Sequence, residues 1–250
     1  MNEKNRFISY SQNREDILLW RCFKDIDKGF YIDVGALHPI IDSVTYAFYV
    51  KGWCGINIEP KKDAYDLLIK NRKRDTNINV AITNKKGHQD MYFLPKGLTT
   101  SNKSYAKKYT ELNMEYKLSQ VKTKTLDEVV KENNITNVHF LKIDVEGQES
   151  EVLQGFSFNI VRPWVLVIEA TKPYTSIDSS RSWYDNVINN DYNFVYFDGM
   201  NKFFVAKEHS NLAKNFKTPV NFFDNYILYR EIKLINELNK LKSKYIIKEQ

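Results

Sequence analysis

Short apolar runs recur along the chain, and most are closed by a glycine, a proline or a carboxylate. Phe30–Val34 stops at Gly35, and Gly55–Ile58 ends at Glu59-Pro60. Ile78–Ile82 and Val138–Ile143 form two further runs, and Val165–Ile168 a fifth, delayed by Pro163. The segments between them carry helical spacing. Glu15–Phe23 and Val44–Val50 read as short helices, Lys61–Lys70 as a helix with a polar face, and Trp183–Asn189 as another. Thr125 and Glu128 have the spacing of a capping box, which predicts a helix through Glu132. Glu149–Leu153 reads as a short helix closed by Gly155. Nearly continuous apolar strands alternating with helices predict an α/β, Rossmann-like domain, its mainly parallel sheet covered by helices on both faces.

The rhythm breaks in three places. Asn84–Gly87 reads as a turn, Asp90–Leu94 alternates like an added strand, and Val121–Thr123 reads as one more short strand. Pro95–Lys107, rich in Ser, Thr, Asn and Lys, reads as a mobile loop. Phe194–Phe197 and Phe203–Ala206 flank Asp198-Gly199-Met200-Asn201, a hairpin expected to add antiparallel strands at one edge. Residues 231–250 are expected to form an amphipathic helix appended to a domain over 1–230, with Leu234, Leu238, Leu241 and Tyr245 in one stripe. That stripe is expected to pack on its own domain, although it also suits a short coiled coil that would make a homo-oligomer.

Composition narrows the picture only a little. The 250 residues suit one large domain with an appendage. Lys and Arg outnumber Asp and Glu by 37 to 31, a formal charge of +6 that reads chiefly as solvated lysine. No Asn/Asp-Pro-Pro-Tyr/Phe block and no RNA module supports a nucleic-acid partner. Cys22 and Cys54 stand outside any metal or redox spacing, and Met1–Arg6 is polar rather than a secretory leader. No apolar run is long enough to span a bilayer, so a cytoplasmic protein is expected, with attachment to a membrane surface left open.

Ligands of open α/β sheets bind beyond the carboxyl ends of the strands, so the strand ends carry the candidate chemistry. Tyr31-Ile32-Asp33-Val34-Gly35-Ala36 lacks the GxGxxG turn that cradles a pyrophosphate, which argues against a dinucleotide. Asp33 suits an ammonium group. Glu59, 24 positions after Gly35, suits a ribose diol, because a carboxylate accepts from two adjacent hydroxyls. Ala81 falls where an adenine ring would lie. Asp144 and Glu146 are two positions apart at a strand end and are expected to share the mouth of the cleft with Lys142 and Glu169. Structural ion pairing of Lys142 is the competing reading. Asp144, Glu146 and Glu169 could offer oxygen ligands, but nothing in their spacing compels a metal, and none is assigned. His38 follows the first strand turn as either an exposed loop residue or a ligand contact. Pro95–Lys107 and Lys172–Trp183 are expected to shape an acceptor site, with Tyr174, Trp183 and Tyr184 either stacking on a sugar or packing in the core.

Taken in order, these blocks resemble the FkbM family of methyltransferases over roughly residues 11–208. They are Ser11-Gln12 with Glu15-Asp16, Ile32–Ala36 with His38-Pro39, Ser43 with Thr45, Phe48-Tyr49, and Gly52-Trp53. Gly55-Ile56 with Ile58-Glu59-Pro60, Thr125–Glu128, and Leu141–Gly147 with Glu149 follow. Arg162-Pro163 leading to Glu169-Ala170, and Phe197-Asp198-Gly199 with Asn201 and Phe203, complete the set. Lys202 stands where many members have Arg, which keeps the charge but loses the fork of donors. The resemblance implies methyl transfer from S-adenosylmethionine, usually to a hydroxyl and often on a sugar of a surface glycan. It places Asp33, Gly35 and Glu59 at the cofactor, with Ala36 and Pro60 beside them, and Asp144 and Glu146 at or next to the reacting centre. A general base is expected among His38, Asp144 and Glu146, unranked. Methylation of another small molecule or a phosphorylated metabolite, at N or O, and a non-catalytic scaffold are the alternatives.

Overall fold

The computed structural model describes residues 6–95, 99–111 and 113–246. Four of the five apolar runs become strands of a seven-stranded sheet. β1 (Phe7–Ser9) and α1 (Glu15–Phe23) precede it, and then β2 (Phe30–Val34), α2 (Tyr46–Val50), β3 (Cys54–Ile58), α3 (Lys62–Asn71) and β4 (Thr76–Ile78) build one half. After an excursion through β5 (Ala81–Ile82), β6 (Gly87–Phe93), β7 (Thr99–Thr100), α4 (Lys103–Glu111) and β8 (Lys117–Lys124), the chain returns. α5 (Leu126–Glu132), β9 (Phe140–Ile143), α6 (Glu149–Gln154), β10 (Val165–Glu169), α7 (Tyr184–Asn189), β11 (Tyr192–Phe197) and β12 (Asn201–Ala206) build the other half. β13 (Tyr226–Leu228) and α8 (Tyr229–Ile246) close the described chain.

The main sheet runs β11-β12-β10-β9-β2-β3-β4. β10, β9, β2, β3 and β4 are mutually parallel, and β12 is antiparallel to both of its neighbours, as the Asp198–Asn201 hairpin predicts. The fold is Rossmann-like. Strand order reverses at β2, which has β3 on one side and β9 on the other, so the crevice opens beyond the ends of these strands.

Alternate residues of each strand feed two cores. Ile32, Val34, Leu141, Ile143, Leu166 and Ile168 meet the buried faces of α5, α6 and α7. Tyr31, Phe140, Val165, Val167, Phe203 and Val205 meet Ile17, Leu18, Phe23 and Phe48 of α1 and α2. Burial on both faces is why these strands read as unbroken apolar runs. The predicted capping box of α5 forms, with the Thr125 side chain accepting from the Glu128 amide and Glu128 accepting from the Thr125 amide.

Three expectations need correction. The run 78–82 is not one strand. Asn79 donates from Nδ2 to the carbonyls of Glu59 and Pro60, and this turn sends β5 into a second sheet, ordered β5-β8-β6-β7. Segment 95–107 is not a plain loop: β7 pairs with β6, and Asn102 accepts from the Ser104 amide to start α4, which buries Ala106 and Tyr109. Residues 96–98 lie outside the described residues. The stripe Leu234, Leu238 and Leu241 is exposed rather than packed on the domain, and the Tyr245 side chain lies outside the described set. β1 and β13 form a small parallel pair that the sequence reading does not anticipate. Cys22 and Cys54 are free thiols. No helix among the described residues is long and apolar enough to cross a membrane.

Candidate active site

A cavity of about 630 Å³ opens where strand order reverses. Asp33, Gly35, Ala36, Glu59, Pro60, Ala81, Asp144, Glu146 and Glu169 all line it. It is large enough for a nucleoside-sized ligand.

The parity of the strands explains the polar floor. Asp33 and Lys142 continue the face that carries Tyr31 and Phe140, and they are direct partners across β2 and β9. Glu169 continues the same face of β10. At the end of β2 the chain turns sharply. The Gly35 and Ala36 amides both donate to the Ile58 carbonyl. Gly35 has φ of +85°, and a Cβ there would stand 1.9 Å from the Asp144 carbonyl oxygen. Glycine is needed because the turns after β2 and β9 lie against each other.

Asp33 is buried. Thr45 donates to its Oδ2 at 3.1 Å, and the Lys142 ammonium lies 3.4 Å from its Oδ1, which receives no hydrogen bond. Lys142 also lies 3.3 Å from Asp144 and donates to the Gly35 carbonyl at 3.1 Å. Burial alone would lower the Lys142 pKa, but Asp144 and Asp33 outweigh it and hold the ammonium above its usual range. The competing sequence reading of Lys142 as an ion-pairing residue therefore describes its contacts.

Glu59 is buried, and each of its oxygens takes one backbone donor: Leu37 N–H at 2.9 Å and Lys61 N–H at 2.7 Å. One lone pair on each oxygen remains. Burial pushes its carboxyl up to about 7, against the pull of those amides. Ile58, Val80, Ala81 and Ile82 form an apolar wall beside it.

The other end of the cavity is acidic. β9 stops at Ile143, so Asp144–Gly147 is a turn and not a strand end. Asp144 and Glu146 therefore meet through the turn rather than by strand alternation. Glu146 sits at φ +55°, and Thr100 of β7 donates to its carbonyl at 2.9 Å. Glu149 fixes the turn from below, accepting from the Val145 and Gly147 amides at 3.2 and 3.1 Å. Burial, then Asp144 and Glu149, push the Glu146 carboxyl up to about 8. Burial, then Asp144 and Glu146, push Glu169 well above the carboxylate range.

His38 lies outside the cavity wall. Its Nδ1 accepts from the Ile40 and Ile41 amides at 3.0 and 2.8 Å, which leaves Nε2 as the protonated nitrogen. Trp183 is buried in the core and Tyr184 packs on Phe204, so of the three candidate sugar platforms only Tyr174 reaches the cavity. The sequence reading missed α4, which brings Tyr109 against Tyr174 and sets the Tyr105 ring over Gly147. Its signal was the i, i+4 spacing of the two tyrosines behind the Asn102 cap.

The profile of a family described as "Methyltransferase FkbM domain" matches residues 33–211. A comparison with the curated proteins finds no match. Among solved structures, the chain is similar to the methyltransferase FkbM from Methylobacillus flagellatus KT, at 15% identity and a TM-score of 0.45, covering 72% of this chain and 44% of that one. The chain thus spans less than half the length of that protein. It is also similar to an O-methyltransferase from Bacillus cereus solved in complex with SAH, at 9% identity and a TM-score of 0.40, covering 78% and 80% of the two chains. A third likeness is to a fibrillarin/Nop5p complex, at 7% identity and a TM-score of 0.36, covering 72% of each chain.

Proposed function

The chain belongs to the FkbM methyltransferase family, and on that premise we propose that it transfers a methyl group from S-adenosylmethionine to a hydroxyl of a sugar in a glycan or related glycoconjugate. One observation carries the reading: a single cavity joins the Asp33–Glu59 end, suited to a nucleoside, to the carboxylate-rich end at Asp144, Glu146 and Glu169.

The residues present fit the cofactor. The Asp33 Oδ1 is a buried acceptor without a hydrogen bond, and Glu59 keeps a free lone pair on each oxygen. The apolar wall at Val80 and Ala81 suits an adenine ring. S-adenosylmethionine bound there would supply an electrophilic methyl group on a sulfonium. The chain's own contribution is placement, proton removal and exclusion of competing acceptors. Glu59 would accept from the ribose hydroxyls, and Asp33 would face the ammonium. With Nδ1 of His38 engaged by two amides, proton removal falls to Asp144 or Glu146.

The carboxyl oxygens at the mouth offer many hydrogen-bond partners to a neutral polyol. The exposed ring of Tyr174 supplies a face for sugar stacking. The reading is tested by calorimetric titration with S-adenosylmethionine and S-adenosylhomocysteine against the wild-type chain and Glu59→Ala, followed by a panel of glycan acceptors. Binding weakened about tenfold or more in the variant, equivalent to about 1.4 kcal/mol, is expected. A folded wild-type chain that binds neither ligand, with or without acceptor, would favour a scaffold role instead.

A further inference from the structure

We propose that Asp144, Glu146 and Glu169 form a binding site for one divalent cation of the hard, oxygen-preferring class. The three side chains come from the turn after β9 and from the end of β10, and each offers a carboxylate oxygen within 4.8 Å of the others. Oxygens held by one ion at roughly 2.4 Å lie at most about 4.8 Å apart as an opposite pair and about 4.2 Å apart as an equal trio, so the cluster is close to the size of a single-ion site and closes on one ion as the side chains draw inward.

The state of Glu169 points to a missing partner. The residue is 7% exposed, and its Oε2 is buried with no hydrogen-bond donor. The Oε2 of Glu146 is buried in the same condition. The local donors are already taken. Lys142 is committed to Asp33, Asp144 and the Gly35 carbonyl, and the Val145 and Gly147 amides are committed to Glu149. Among the described residues no ion pair reaches Glu146 or Glu169. Unpaired buried carboxylate oxygens side by side are costly, through both desolvation and mutual repulsion. A dication removes both costs at once. The donor set contains only carboxylate oxygen, which selects Mg²⁺, Mn²⁺ or Ca²⁺ over zinc or copper. The site lies at the acceptor end of the cavity, and its consequence for the reaction, holding hydroxyl oxygens of the acceptor, rests on the methyl-transfer reading.

Metal binding is measured without cofactor or acceptor, so its outcome stands apart from that reading. The full chain is stripped with chelator and titrated with Mn²⁺ in alkaline buffer, following loss of the free-ion electron paramagnetic resonance signal, with Mg²⁺ and Ca²⁺ as competitors. Wild type and an exposed-acid control, Asp25→Asn, are expected to bind one ion per chain. Glu169→Gln and Glu146→Gln are expected to bind about tenfold more weakly or worse, with unchanged circular dichroism. A folded wild-type chain that leaves the free Mn²⁺ signal intact overturns the proposal, as does undiminished binding by both glutamine variants.

Discussion

Asp33 and Lys142 stand opposite each other on adjacent parallel strands, and the lysine ammonium is 3.4 Å from the buried carboxylate. Thr45 is the only hydrogen-bond donor to that carboxylate among the described residues, so Lys142 supplies its charge balance. Replacing Lys142 by methionine keeps the volume and strands a buried acid. The expected loss is about 3–5 kcal/mol in urea unfolding. Asp33→Asn in the same chain should restore a large part of it. A Lys142→Met variant as stable as wild type would show that solvent, and not the lysine, balances Asp33.

Gly35 and Gly199 allow two backbone effects to be separated. Both have positive φ, +85° and +98°, but a Cβ at Gly199 meets nothing within 4 Å, whereas one at Gly35 meets the Asp144 carbonyl at 1.9 Å. Gly199→Ala should cost about 1–2 kcal/mol, the ordinary penalty of left-handed backbone. Gly35→Ala should cost about 3 kcal/mol or more, because the turn carrying Asp144 must move. Equal midpoints for the two variants in denaturant would mean that the β2 and β9 turns are not in contact.

Arg72 organises the cavity floor from behind. Both Arg72 and Asp75 are fully buried, and the guanidinium donates to Asp75 at 2.8 Å, the Tyr31 hydroxyl at 2.7 Å and the Thr45 hydroxyl at 2.9 Å. Thr45 in turn donates to Asp33. Lysine preserves the charge but cannot reproduce three directed bonds. Arg72→Lys is expected to lose about 3 kcal/mol or more in denaturant unfolding. An unaltered unfolding midpoint would contradict the role drawn for this side chain.

The centre of the main sheet was legible because burial on both faces writes β2, β3, β9 and β10 as apolar runs. The second sheet was legible only in part: Asp90–Leu94 and Val121–Thr123 read as strands, but β8, Lys117–Lys124, buries little beyond Thr123, and its mostly polar pattern hides its length. β1 and β13 are three residues each and pair across nearly the whole chain, a contact that no local pattern records. Asp33, Glu59 and Asp144 were legible as acids at strand ends. The meeting of Glu146 with Glu169 was expected from strand alternation, but it comes about through a left-handed turn clamped by Thr100 and Glu149, which spacing alone does not encode. The α8 stripe was legible as amphipathic, but its pattern does not name what it faces, and the described domain leaves it exposed.

Stability should fall as pH rises through the neutral range. Burial pushes Glu15 up to about 7, with Asp198 adding to the effect, and pushes Glu59 up to about 7 against the Lys61 and Leu37 amides and the charge of Lys142. In the unfolded chain both titrate near about 4.3, so from there to neutrality the native state holds the extra protons. A carboxyl raised on folding gives stability that is complete below the unfolded value and lost as pH rises through the folded one. His38, His139 and His209 are depressed by burial and act in the opposite sense, giving stability that is lost as pH falls through the histidine range. Each acid's decline is steepest between its unfolded and folded values, from about pH 5 to 6.5, at about 1.4 kcal/mol per pH unit, and levels off above about pH 7, while the histidines offset part of it below about pH 6.5. Melting temperature measured from mildly acidic to mildly alkaline buffer should drop. Glu15→Gln imitates the protonated acid, keeps an acceptor for the Asn201 side chain and should flatten the slope. A melting temperature that rises across the same window would mean that these carboxyls are ionised in the native chain, and that the interior supplies a counter-charge beyond Lys142.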